Sequence, residues 1–221
     1  MDMTRRQFLA TTAAAVSAGN RLRGRVPCVL LDLQRDSLRE SVAGYAAGFQ
    51  PRVVRADMPD IPPCAVLLVP AALEISPLAA RAIVRCLHAG ATAILESAAG
   101  FLDERAFCAE RTVLQDYFDI NVEPPVQLWP RQTPYVDYLW PYAAKLRDFS
   151  RVVPLGGQAG ERIAWVDRLP VALKRGSGRG TLIFLGSPLG PALWAGDVEA
   201  RGWVSAVLAT ASERCARPPS C

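Results

Sequence analysis

The sequence predicts an α/β protein: a flavodoxin-like parallel sheet with helices on both faces and a β-hairpin late in the chain. Three observations carry this. Short apolar runs without helical period recur along the first hundred residues. Segments of helical period separate them, as crossover connections between parallel strands require. A glycine-rich turn then joins two β-like runs near the end.

The elements follow in order. Val26–Leu33 is an apolar run that reads as a buried strand. Residues 37–49 carry apolar side chains at helical spacing. Arg52–Arg55 and Cys64–Val69 are further short strands, the second closed by Pro70. Ser76 is placed to cap a helix, Pro77 stands at its first position and Gly90 just past its end. Leu78, Ile83, Val84 and Leu87 give that helix an apolar face. Ala91–Glu96 is a fourth strand. Residues 119–150 hold six of the aromatic residues and prolines at 124, 125, 130, 134 and 141, and read as a long ordered loop or insertion. Arg162–Val166, Val171–Lys174 and Thr181–Leu185 are β-like. Gly176-Ser-Gly-Arg-Gly180 is one residue short of a dinucleotide fingerprint and lies between strands, so it reads as a hairpin turn. Asp197 caps a last helix that runs to Ser212.

Composition excludes several classes. The chain has 221 residues, 51% hydrophobic and 21% charged, with a net charge of +4. That is too apolar for a disordered chain and too weakly charged to imply nucleic acid. Only two of its 25 basic residues are lysines, Lys145 and Lys174, and the arginines are scattered. No apolar run is long enough for a stable membrane span. The six cysteines include no Cys-x-x-Cys pair, which gives no zinc motif. No metal and no cofactor is implied.

The start of the chain resembles a twin-arginine (Tat) export signal. Thr4, Arg5, Arg6, Phe8 and Leu9 fill its positions, ahead of a short Ala/Thr-rich stretch. The resemblance implies a signal over residues 1–18 and delivery to the periplasm; the rest reads as a single α/β domain over 26–212 followed by a flexible tail over 213–221.

Chemistry concentrates after the fourth strand, at Glu96-Ser-Ala-Ala-Gly100, where small residues and a glycine suit a sharp strand-to-helix turn. Residues 26–118, above all the stretch Val66–Gly100, resemble the class I glutamine amidotransferase-like superfamily, with its trehalose-utilisation (ThuA-like) and β-galactosidase middle-domain relatives. The late GRGTLIFLGSPLG segment resembles that superfamily's terminal strand. Active members carry a cysteine nucleophile here and a histidine after the late strand. This chain has Ala98 at the first position and no histidine at the second. The resemblance therefore implies an exported, non-catalytic domain that binds a small molecule, a sugar or a protein partner.

Two other readings stand beside it. One is a hydrolase using Ser97 or Glu96. A serine needs a base, and the single histidine, His88, lies at the far end of the preceding helix. Glu96, beside a helix N-terminus, is expected to be ionised. The other is a carbohydrate-binding module using Trp129, Tyr135, Tyr138 and Trp140, whose flat rings could stack on sugars. Asp137, Arg147 and Asp148 are the polar groups nearest to those rings in sequence.

Overall fold

A computed structural model describes residues 27–57, 60–98, 104–128, 135–147, 151–157 and 159–215. The twin-arginine segment with Arg5 and Arg6 lies outside these residues, as do Ala99, Gly100, Trp129 and Asp148.

The strands are β1 (Cys28–Asp32), β2 (Arg52–Arg55), β3 (Val66–Ala72), β4 (Thr92–Ser97), β5 (Val126–Gln127), β6 (Tyr135–Tyr138), β7 (Ala144–Arg147), β8 (Arg151–Val152), β9 (Glu161–Val166), β10 (Leu169–Ser177) and β11 (Gly180–Leu185). The helices are α1 (Arg39–Phe49), α2 (Pro77–Ala89), α3 (Glu104–Phe118), α4 (Gly190–Trp194) and α5 (Val198–Cys215). Nine strands form one sheet in the order β2-β1-β3-β4-β11-β10-β9-β6-β7, and β5 pairs separately with β8.

The α/β class holds, but the sheet is mixed rather than parallel throughout. β2, β1, β3, β4 and β11 run parallel. β10, β9, β6 and β7 extend the sheet antiparallel beyond β11. The Pro-rich middle segment supplies two of these strands instead of forming a loop. Its described prolines 124, 125 and 141 lie outside the strands, so no ladder hydrogen bond is lost. Val136 and Tyr138 alternate inward from β6, giving it a strand's period.

The same period builds two cores. Leu30, Leu68, Ile94, Ile183 and Leu185 point to one face, where Tyr45 of α1, Leu193 of α4 and Trp203 of α5 cover them. Leu31, Leu67, Val69, Leu95 and Phe184 point to the other, beneath Ile83 and Leu87 of α2 and Phe107 and Leu114 of α3. Parallel strands buried on both sides read as continuous apolar runs, as β3 and β4 do.

Local signals act as the residues dictate. Ser76 Oγ accepts from the Ala79 N–H at 3.2 Å, and Gly90 takes the left-handed φ of 107° that ends α2. Asp197 Oδ1 accepts from Glu199 and Ala200, capping α5. That helix reaches Cys215, three residues past the predicted Ser212. Gly178-Arg179 forms the β10–β11 turn, with Gly178 at φ 57°. A β-carbon there would come within 2.8 Å of the His88 ring, so the turn packs directly onto the end of α2. The turn is a hairpin between antiparallel strands and opens no helix.

Candidate functional site

The C-terminal edge of the parallel strands is where α/β sheets place their chemistry. Glu96 and Ser97 both lie there as the last two residues of β4. Ser97 is inside the strand, paired with Ala72 of β3, and only 2% exposed. It is not raised on a turn above the sheet. No histidine stands beside it, since His88 lies at the opposite end of the neighbouring strands, against the β10–β11 turn.

Glu96 shares the face of Ile94 and is 1% exposed. Four donors from three other elements converge on its carboxyl. The Tyr45 hydroxyl of α1 donates to Oε1, and so does the Leu189 N–H at 3.1 Å. The Ala71 N–H of β3 donates to Oε2 at 3.2 Å, and the Gly190 N–H adds a further bond. Ala71 takes a positive φ of 35° to aim its N–H. Burial pushes the Glu96 carboxyl up to about 7, against the opposing pull of these donors. The expectation of an ionised carboxylate beside a helix N-terminus is therefore corrected: desolvation outweighs the donors. Enclosed in this way, Glu96 ties α1, β3, β4 and the start of α4 together and faces no open cavity.

The crevice between the ends of β1 and β3 is sealed by the chain itself. Ser37 Oγ donates to the Pro70 carbonyl at 3.0 Å, the Leu38 N–H to Ala71 at 3.3 Å, and the Leu73 N–H to Asp36 at 2.7 Å. Beside this seal an open groove of ≈ 580 Å³ is lined by Asp32, Gln34, Arg39, Val42, Ala43 and Arg55. Asp32 Oδ1 accepts from the Gln34 N–H at 2.7 Å, which holds Gln34 at a φ of 61°. This groove joins one carboxylate, one amide and two guanidinium groups over an apolar floor.

The aromatic segment divides. Tyr138 is 1% exposed and packs its ring 4.7 Å from that of Trp203. Trp140 meets Trp203 edge-on at 6.4 Å, accepts from the Trp203 indole N–H at 2.9 Å, and lies under Lys174 Nζ at 4.5 Å. These rings anchor α5 to the sheet. Tyr135 is 43% exposed on β6, and Asp137 pairs with Lys145 at 3.3 Å. Of the proposed sugar platform, then, the described rings Tyr138 and Trp140 are structural. Of the three described rings of that platform, only Tyr135 is well exposed.

A second buried carboxyl had no signal in the sequence. Glu110 of α3 accepts from the Ile75 N–H at 3.0 Å, and burial with Glu74 nearby pushes it up to about 8. Among the described residues no group of three or more His, Cys, Asp or Glu is placed to hold a metal ion. No helix among them is long and apolar enough to cross a membrane.

No protein-family model and no curated protein matches the chain. Solved structures do. An exo-β-1,4-mannosidase from Opitutaceae bacterium strain TAV5 superposes with a TM-score of 0.61 at 10% identity, over 91% of this chain and 39% of its own. A β-galactosidase from Bacillus circulans sp. alkalophilus gives 0.62 at 14% identity, over 90% of this chain and 32% of its own. A cytoplasmic protein from Salmonella typhimurium LT2 gives 0.56 at 11% identity, over 83% of this chain and 98% of its own. The chain thus spans about a third of the glycosidases it matches. These findings overturn the assignment to the class I glutamine amidotransferase-like superfamily. The reading as an amidotransferase-like domain stripped of its chemistry falls with that assignment. At these identities the likeness establishes the fold: the chain is built like an α/β unit found within β-galactosidases and an exo-mannosidase.

Proposed function

We propose that this chain serves the hydrolysis of β-linked glycosides, as the α/β unit of a glycoside-hydrolase architecture. The observation that carries the reading is the fold likeness to β-galactosidases and an exo-mannosidase over nine-tenths of the chain. We read the five parallel strands, in the order β2-β1-β3-β4-β11, as a flavodoxin-like core, and the order supports this. The groove at Asp32, Gln34, Arg39 and Arg55 is the place for a saccharide. Carboxylate, amide and guanidinium groups match the donors and acceptors of sugar hydroxyls. The twin-arginine start adds delivery to the periplasm to this proposal.

The test uses the full chain with nitrophenyl β-galactoside and β-mannoside, and calorimetric titration with the corresponding disaccharides. Binding that weakens about tenfold in Arg39→Ala, or turnover of either glycoside, supports the reading. A chain that neither binds nor cleaves any of them overturns it. Glu96→Gln separates two versions of the chemistry. Turnover lost with the fold intact makes Glu96 a positioning residue that acts on the groove through Tyr45 and α1, since at 1% exposure it touches no sugar itself. Turnover unchanged leaves Glu96 as an internal strut.

A further inference from the structure

We propose that Cys64 and Cys86 form a redox-active dithiol that closes to a disulfide by exchange with a low-molecular-weight disulfide. This stands independently of the glycoside reading. Cys64 sits just before β3 and Cys86 in the last part of α2. Their side chains lie within hydrogen-bonding reach of one another. Neither forms a disulfide in this structure, and both are half-buried. Both open onto one small pocket of ≈ 200 Å³, whose wall also includes Ile61, Pro62, Pro63 and Arg85.

The backbone anchors each member of the pair. Next to Cys64, the Ala65 N–H donates to the Pro27 carbonyl at 2.9 Å. The Cys86 carbonyl accepts from the Ala91 N–H at 3.0 Å. Two thiols held within reach react with each other at a high effective concentration. The pocket gives an incoming disulfide access, with apolar walls for its stem and the Arg85 guanidinium for a carboxylate.

Cys86 is the attacking thiol. Its hydrogen bond from Cys64 and the Arg85 charge lower its pKa despite partial burial. Cys28 is the contrast, since burial pushes it up to about 12. The exchange proceeds in two balanced steps. Cys86 thiolate attacks one sulfur of the disulfide, forms a mixed disulfide and releases one thiolate. Cys64, losing its proton, then attacks Cys86 Sγ and releases the second. The two protein thiols are oxidised, and the small disulfide is reduced to two thiols.

The experiment incubates the reduced, desalted full chain with oxidised glutathione, then maps peptides by mass spectrometry. The expected product is two hydrogens lighter than the reduced chain, with the peptides of Cys64 and Cys86 linked and Cys28 still alkylatable after unfolding. In Cys64→Ser the glutathione adduct should accumulate on Cys86, about tenfold faster than on Cys64 in Cys86→Ser. The proposal is overturned if Cys64 and Cys86 both remain thiols at equilibrium in the wild-type chain. It is equally overturned if either pairs instead with Cys108, Cys215 or Cys221.

Discussion

The Tyr45 hydroxyl donates to the Glu96 carboxyl across 51 residues of chain, inside a core where neither group meets water. This side-chain bond joins α1 to β4. Tyr45→Phe removes the donor and leaves part of a buried acceptor unsatisfied. The expected cost is about 1–3 kcal/mol, measured as a lower urea midpoint at unchanged slope. A variant as stable as the wild type would show that the backbone donors of Ala71, Leu189 and Gly190 suffice.

Stability should rise as the medium turns mildly acidic. Glu96 and Glu110 are raised in the fold to about 7 and about 8, from the ordinary glutamate value of 4.5. Between those values the folded chain holds protons that the unfolded chain has released, so acidification favours folding. The gain from each carboxyl is present below 4.5 and lost as pH climbs through its folded value. Each contributes a slope of up to about 1.4 kcal/mol per pH unit in its window. Urea midpoints should therefore increase from pH 8 to pH 5. Glu96→Gln should flatten the curve mainly below pH 7, and Glu110→Gln should flatten it up to pH 8. A wild-type curve falling toward pH 5 contradicts both assignments.

Two glycines let α1 and α4 touch. A β-carbon on Gly190 would overlap the side chain and backbone of Ser41, and one on Gly44 would stand 2.7 Å from the Gly190 carbonyl. Neither residue needs an unusual φ, so the requirement is space. Gly190→Ala should destabilise by about 1–3 kcal/mol, and should also disturb the Leu189 and Gly190 bonds to Glu96. Thermal unfolding of the single and double variants would check this, with non-additive losses expected for adjacent sites.

The export proposal has its own variant. Replacing Arg5 and Arg6 by Lys keeps the charge but loses the planar guanidinium pair. The chain should then remain in the cytoplasm with its signal uncut, as read by cell fractionation and immunoblotting. Periplasmic delivery of that variant would remove the twin-arginine assignment.

Much of the parallel half was legible because its signals are local. Ser76, Pro77 and Gly90 bound α2 by capping chemistry alone, and Asp197 starts α5 in the same way. The outer half was not. β6 and β7 are four residues each, among prolines, and pairing with one another, of β6 with β9, and cover from Trp203 make them strands. A lone glutamate in the apolar run of β4 did mark Glu96. Its charge state was misjudged, because the enclosure comes from Tyr45, Ala71 and Leu189, none of them near it in sequence. The groove at Asp32 and Arg55 was likewise hidden, since two strands must pair before those residues meet.

β11 occupies the middle of the sheet, with β4 on one side and β10 on the other. A ribosome makes residues 180–185 long after β1 to β4 have emerged. Until then the nascent chain carries β4 as an open edge, apolar on both faces, with its hydrogen-bonding groups unmet. The parallel half must therefore wait in an adhesive state for a late segment to slot between strands already made. Holding chaperones, and pauses in translation before residue 180, should influence the yield of this protein more than its final stability does.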